Sequence, residues 1–396
     1  MSVSLQSSMQ QPRKQLEEQE QHAAPIKVVL EPPSLLARYG SASAMVAVFA
    51  IWGKLVFVDE ETCPGIGSPM HNWILPLAMT ASYLVALPLL RRFSETVLEG
   101  QVDVKLLLRE TMVVYNAGQV LVNFWMVYRI LDAVAFRGHP LIGDRTNVTS
   151  GAAFAVWIHY CDKYLEFFDT FFMVLRGRMD QVRTFFFAFS RTIFFCSTLF
   201  WSMKVTFQFV ETTENTNHKR RVPRPYGFYY ISSYLFAFPH MQVSFLHVYH
   251  HVSIAWAWWV AMTIWPGGDA YFGALLNSFI HVLMYSYYTM SLLKYRCPWK
   301  KYLTQAQLIQ FTSVLIYTGF MGYVHRDMTP RHWFTMAVQV FEMSSLFVLF
   351  MLFYAKTYKK RKQSLKSLDS ASESESVPEQ SSISSDSSND EAKKEE

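Results

Sequence analysis

The feature that most constrains this chain is a series of apolar runs, several of them about 20 residues long, enough to cross about 30 Å of hydrocarbon as helix. They lie near 39–58, 72–90, 111–131, 152–175, 185–210, 243–265, 270–293, 307–325 and 333–355. Lipid offers the backbone no hydrogen-bond partner, so only helices and closed barrels span it, and barrel strands would alternate apolar and polar residues. These runs do not alternate. The fold class expected is therefore an all-α polytopic membrane protein. Only 17% of the 396 residues are charged, against about 25% in soluble domains. That argues against a soluble enzyme. The net charge of +5 is too small to suggest nucleic acid, which is not an expected partner. Cys63, Cys161, Cys196 and Cys297 form no CxxC pair, so neither a disulfide scaffold nor a zinc knuckle is supported. The 39–58 run contains Lys54 and is the weakest span, a possible extra helix. Residues 1–38 and the Ser/Glu-rich 361–396 read as disordered tails, and the Gln/Glu-rich start is not a cleavable signal peptide.

Orientation follows from basic residues in short loops. One set of loops holds Arg91, Arg92, Lys105, Arg109, Arg176, Arg178, Lys294, Arg296, Lys300 and Lys301, and the segment after the last run adds Lys356 to Lys362. The opposite loops hold only Arg137, Arg145, Arg326 and Arg331. The first set is expected in the cytosol together with the C-terminus, with seven core helices. Asn147-Val148-Thr149 is then a sequon on the lumenal side.

Chemistry-bearing residues concentrate on four polar stripes. His247, His250 and His251 stand at i, i+3 and i+4, one face of a helix. Titratable groups inside a membrane are expensive, and three together are a functional hypothesis by default. Asn277, His281, Met284, Tyr285 and Tyr288 form a second stripe. Lys163, Glu166, Asp169 and Thr170 form a third, in which opposite charges at i, i+3 can neutralise each other; a structural ion pair and a catalytic role weigh equally there. Thr304, Gln307 and Gln310 make the fourth. Helices with one polar and one apolar face suit a bundle around a polar chamber.

KYLEFFDT (163–170), FLHVYHH (245–251), NSFIHVLMYSYY (277–288) and TQAQLIQF (304–311) occur in the order found in the ELO family of fatty-acid elongases, which residues 70–360 resemble. The resemblance implies seven helices, six around an acyl tunnel, in the endoplasmic reticulum. It implies condensation of long-chain acyl-CoA with malonyl-CoA to 3-ketoacyl-CoA, CoA and carbon dioxide. The implied partners are these two substrates, membrane lipid, the ketoreductase, dehydratase and enoyl reductase of the cycle, and a homodimer. No cofactor and no metal are expected. HVYHHVSIAWAWW resembles the polyunsaturated-type elongases, and the terminal KKEE resembles a dilysine retrieval signal.

With no suitably placed cysteine, imidazole is the plausible nucleophile, and an acyl-imidazole can pass its acyl group on. His250 is the expected acyl acceptor and His281 its partner. His247 and His251 would orient the site or stabilise charge, and Asn277 or Gln307 could donate to a thioester or enolate oxygen. Lys163, Glu166, Asp169, Tyr285 and Gln310 complete the expected substrate-binding set. Two other classes compete. HxxHH is also a metal-ligand spacing, as in di-iron desaturases, but a second histidine box is missing. A transporter would explain the helices but not the paired histidine stripes.

One stretch departs from the family. Gln-Val occurs at both 181–182 and 242–243, and deleting 182–242 joins RGRMDQ directly to VSFLHVYHH, as the family reads. Val182-Arg183 can be encoded by GT-AG-type edges and Met241-Gln242 can end in CAG. The segment is expected to be a translated intron, with a genuine insertion carrying an extra helix at 185–210 as the alternative.

Overall fold

The computed structural model describes residues 30–57, 72–98, 100–142, 151–177, 242–265, 267–325 and 327–375. All of the proposed intron at 182–242 except Gln242, the 185–210 run, the Asn147 sequon, most of the N-terminal tail and the terminal KKEE lie outside these residues. The described elements are helical apart from one isolated bridge, Glu31 to Val102. We name them α1 (Leu35–Val56), α2 (Ile74–Phe93), α3 (Arg109–Phe136), α4 (Gly151–Leu165), α5 (Phe167–Leu175), α6 (Gln242–Ile264), α7 (Tyr271–Leu292), α8 (Leu303–Val324) and α9 (Pro330–Glu375). The protein is an all-α, multi-pass membrane protein. By length and composition, Leu35–Val56, Ile74–Leu98, Arg109–Phe136 and Pro330–Ala355 can each cross a membrane. Helices α6, α7 and α8 have 23, 22 and 22 residues but carry the polar stripes that lower their apolar content.

The weak 39–58 run is a full helix, beginning four residues earlier than expected. Ser34 caps it by accepting a hydrogen bond from the Ala37 amide at 3.2 Å, a standard N-terminal device. Arg38 pairs with Glu110, and the Ser41 and Thr111 hydroxyls are 2.7 Å apart. Farther along, the Trp52 indole donates to the Cys161 carbonyl (3.4 Å) and the Trp157 indole to the Val56 carbonyl (3.2 Å). Lys54 is tolerated because it is exposed in the last turn, where a cation suits the helix dipole. At Gly118 of α3 an added Cβ would come within 2.5 to 2.9 Å of the Phe49 ring.

Helix α4 differs from every other. Each residue from Ala152 to Leu165 is buried, so it is apolar or internally paired all round rather than amphipathic. Gly151, Ala152, Ala153 and Ala155 keep its first turns thin, as close packing in lipid requires. Among the described helices the most extensive pairing is α3 with α7. It sets the Tyr115 ring against Tyr285, centroids 5.9 Å apart, and Met126 against Ser278 at 3.8 Å. Gly267 and Gly268, with φ of 73° and 60°, make the tight turn between α6 and α7; both lie in the left-handed region that favours glycine.

The last helix continues through 361–375, where disorder was expected. No glycine or proline stands between Arg331 and Val377 to stop it.

Candidate functional site

KYLEFFDT was expected to lie on one unbroken helix, 152–175. Instead α4 ends at Leu165 and α5 begins at Phe167, with a tightened turn at Glu166. The Asp169 amide donates to the Glu166 carbonyl (3.1 Å) rather than to Leu165. That leaves the Leu165 carbonyl without its helical donor, a cost that buried backbone rarely carries. The Tyr115 hydroxyl takes it, at 3.3 Å from α3. The turn thus swings Glu166 to the centre of a polar cluster without leaving its backbone unsatisfied.

Glu166 is the hub of that cluster. Its Oε1 accepts from Lys163 Nζ at 2.5 Å and lies 3.1 Å from His281 Nδ1 on α7. Lys163 Nζ also donates to Asn277 Oδ1, 3.0 Å away on the same helix. Glu166 Oε2 faces His251 Nδ1 on α6 at 4.0 Å, and His251 Nε2 is 3.2 Å from His247 Nε2. Lys163 and Glu166 are essentially inaccessible. Taking two charges out of water costs several kcal/mol each, which Coulomb attraction repays only when further hydrogen bonds complete the pair. Asn277 supplies one of these, and the His281 ring lies beside the carboxylate.

Two further carboxyls flank the hub. The Tyr285 hydroxyl donates to Asp169 Oδ2 (2.7 Å). On the other side, Asp162 accepts from Gln119 (3.1 Å) and Asn123 (3.4 Å) of α3. The Gln119–Asn123 pair at i, i+4 inside the apolar 111–131 run was the available sequence signal for these two residues. It was passed over.

The histidine trio is divided by the fold. His247 and His251 face each other beside Glu166, whereas His250 lines a cavity between α6, α7, α8 and α9. Asn277, Gln310 and Glu342 line it with His250, followed along α6 by Ile254, Ala257 and Ala261. From His250 to Ala261 the helix rises roughly 16 Å at 1.5 Å per residue. His250 Nδ1 is buried with no hydrogen-bond partner. Gln307, half-buried one turn before Gln310, is not among the lining residues. Glu342, a lone carboxyl within the last apolar run, was missed by the sequence reading although an intramembrane acid is itself a signal.

Among the described residues, one group offers three metal-ligand atoms within 4.8 Å of one another: Asp162, Glu166 and His281. It excludes the HxxHH histidines, and Lys163 already places an ammonium on Glu166.

The ELO (GNS1/SUR4) family matches residues 68–234 and 231–366. The chain is 32% identical over 260 residues to very long chain fatty acid elongase 5 of Tachysurus fulvidraco, covering 64% of this chain and 67% of that one. Its counterpart in Xenopus tropicalis is 32% identical over 263 residues, 65% of this chain and 68% of that one. The Homo sapiens protein of the same name is 32% identical over 260 residues, 64% and 66% respectively. The match to most of the chain, across the helices that carry the buried polar cluster, shows that this protein belongs to the ELO (GNS1/SUR4) family of fatty-acid elongases.

Proposed function

We propose that the protein acts as a very-long-chain 3-oxoacyl-CoA synthase, the condensing enzyme of fatty-acid elongation, through an acyl-histidine at His250. The observation that carries this reading is the division of the trio: His250 alone among its three histidines lines a cavity that continues along apolar side chains. In the first half-reaction an imidazole nitrogen of His250 bonds to the acyl carbon and the carbon–sulfur bond breaks. CoA departs as the thiol, taking the imidazole proton. In the second, malonyl-CoA loses carbon dioxide, and the resulting enolate carbon attacks the acyl-imidazole. The carbon–nitrogen bond breaks, the departing imidazole takes a proton from solvent, and 3-ketoacyl-CoA is released. Asn277 and Gln310 on the facing walls would donate to developing oxyanions, with Glu166 beside His281 and His251 behind them.

Lys163 on Glu166 supports a metal-free reading over a di-iron one, because an ammonium already neutralises the carboxylate that a metal would need. Membership of the elongase family supports an endoplasmic-reticulum location, and the basic loops support a cytosolic segment after the last helix. HVYHHVSIAWAWW supports a polyunsaturated acyl preference. The family match is split into two parts that meet at 231–234, inside 182–242, although the matched residues run through that segment. The intron reading requires a transcript that joins the Gln181 codon to that of Val243.

The test of the acyl-histidine is incubation of purified protein with long-chain acyl-CoA alone. Wild type should release one CoA per chain and retain the acyl group on the peptide containing His250. His250→Ala should do neither and should lose condensation by at least about a hundredfold. Normal turnover by His250→Ala would overturn the assignment.

A further inference from the structure

Of the residues lining the cavity, only His250 and Glu342 can carry charge, and nothing described so far gives Glu342 a task. It is buried on α9, and its Oε1 is 2.7 Å from Ser253 Oγ on α6. Ser253 Oγ is also 2.6 Å from the Tyr249 carbonyl, and one turn away the Tyr249 and Ser345 hydroxyls are 2.9 Å apart. Two side-chain bridges therefore tie the Tyr249–Ser253 turn of α6 to the Glu342–Ser345 turn of α9. His250 and His251 lie between them.

A serine hydroxyl has one proton to give. It cannot donate at such short range both to the Tyr249 carbonyl and to Glu342. The two contacts are compatible when Glu342 is protonated, donating to Ser253 Oγ, which in turn donates to Tyr249. A neutral carboxyl also suits a wall that meets an acyl chain, since an unpaired buried carboxylate is costly. No partner is bonded to His250 Nδ1, so the backbone of the Tyr249–Ser253 turn must set where that ring points.

We propose that protonated Glu342, acting through Ser253, is a positioning residue that holds the His250 turn of α6 against α9 so that the imidazole faces the cavity. This rests on the reading of His250 as acyl acceptor. Its action is on the first half-reaction, after acyl-CoA has bound.

The experiment measures pre-steady-state CoA release and steady-state kcat and KM for acyl-CoA, on detergent-purified full-length protein, for Glu342→Leu, Glu342→Gln, Ser253→Ala and the Leu/Ala double variant. Removing either member should slow CoA release and kcat about tenfold, the worth of one buried hydrogen bond, with KM little changed. Glu342→Gln, whose amide can still donate to Ser253 Oγ, should keep a rate within about twofold of wild type. The double variant should be no slower than the slower single, because both changes break one bridge. Wild-type rates in Glu342→Leu, multiplicative losses in the double variant, or a Glu342→Gln as slow as Glu342→Leu would each overturn the proposal. His250→Ala in the same assay separates the two claims. If it stays active, the acyl-histidine reading fails; if it is inactive while Glu342→Leu and Ser253→Ala are normal, only the positioning role fails.

Discussion

The two sides of the site are built differently. Around α4 every side chain from Ala152 onward is buried, and Asp162 and Lys163 are tied to α3 and α7 by hydrogen bonds of 3.0 to 3.4 Å. On the other side α8 buries only Gln310, Phe311, Val314, Thr318 and Met321, and a cavity separates it from α6. The polar hub is built as a scaffold, whereas His250, the proposed acyl acceptor, stands on the open side. Lys163 and Glu166 hold positions, while Asn277 and His250 line the cavity where the proposed acyl transfer would occur. Rigid support behind a nucleophile in an open chamber is what preorganisation asks of a catalyst.

Breaking the scaffold should cost most. Lys163→Met leaves Glu166 buried without its cation and should destabilise the protein by about 3–5 kcal/mol. The expected readout is a large fall in thermal stability in detergent, with loss of activity; unchanged stability would mean the pair is not the scaffold. A smaller effect is expected at Tyr115→Phe, which returns the Leu165 carbonyl to an unsatisfied state. About 1–3 kcal/mol of stability should be lost, and amide hydrogen exchange around Glu166 to Asp169 should accelerate. The smallest is Gly118→Ala, where the new Cβ pushes on Phe49. Because a ring can move, the cost should stay near the low end of overpacking, about 1 kcal/mol, with condensation unaffected. A larger loss of activity there would mean that α1 reaches the site rather than bracing its far side.

Much of this was legible in the sequence because lipid enforces strict rules. Apolar runs of helix length located the spans, and charge in an apolar run marked Lys163, Glu166 and the histidines, whatever their partners. The extent of α1 was less legible. Lys54 lowered its apparent fitness, while its anchors, Glu110, Thr111 and Cys161, are 70 or more residues away in the chain. The four matching motifs fixed the family and its order of helices. Periodicity put His247, His250 and His251 on one face.

Only the tertiary structure decided how that face is shared. A helical face is broad, and its neighbours divide it: Glu166 in the turn after α4 faces His251, His251 in turn faces His247, and the cavity claims His250. The turn at Glu166 was equally hidden, because it depends on a hydroxyl from Tyr115, 50 residues earlier in the chain. Glu342 acquires a role only when Ser253, 89 residues before it, is brought to 2.7 Å. Spacing along a chain specifies which residues share a helix face, but a hydrogen bond is a distance in space, and packing alone sets it.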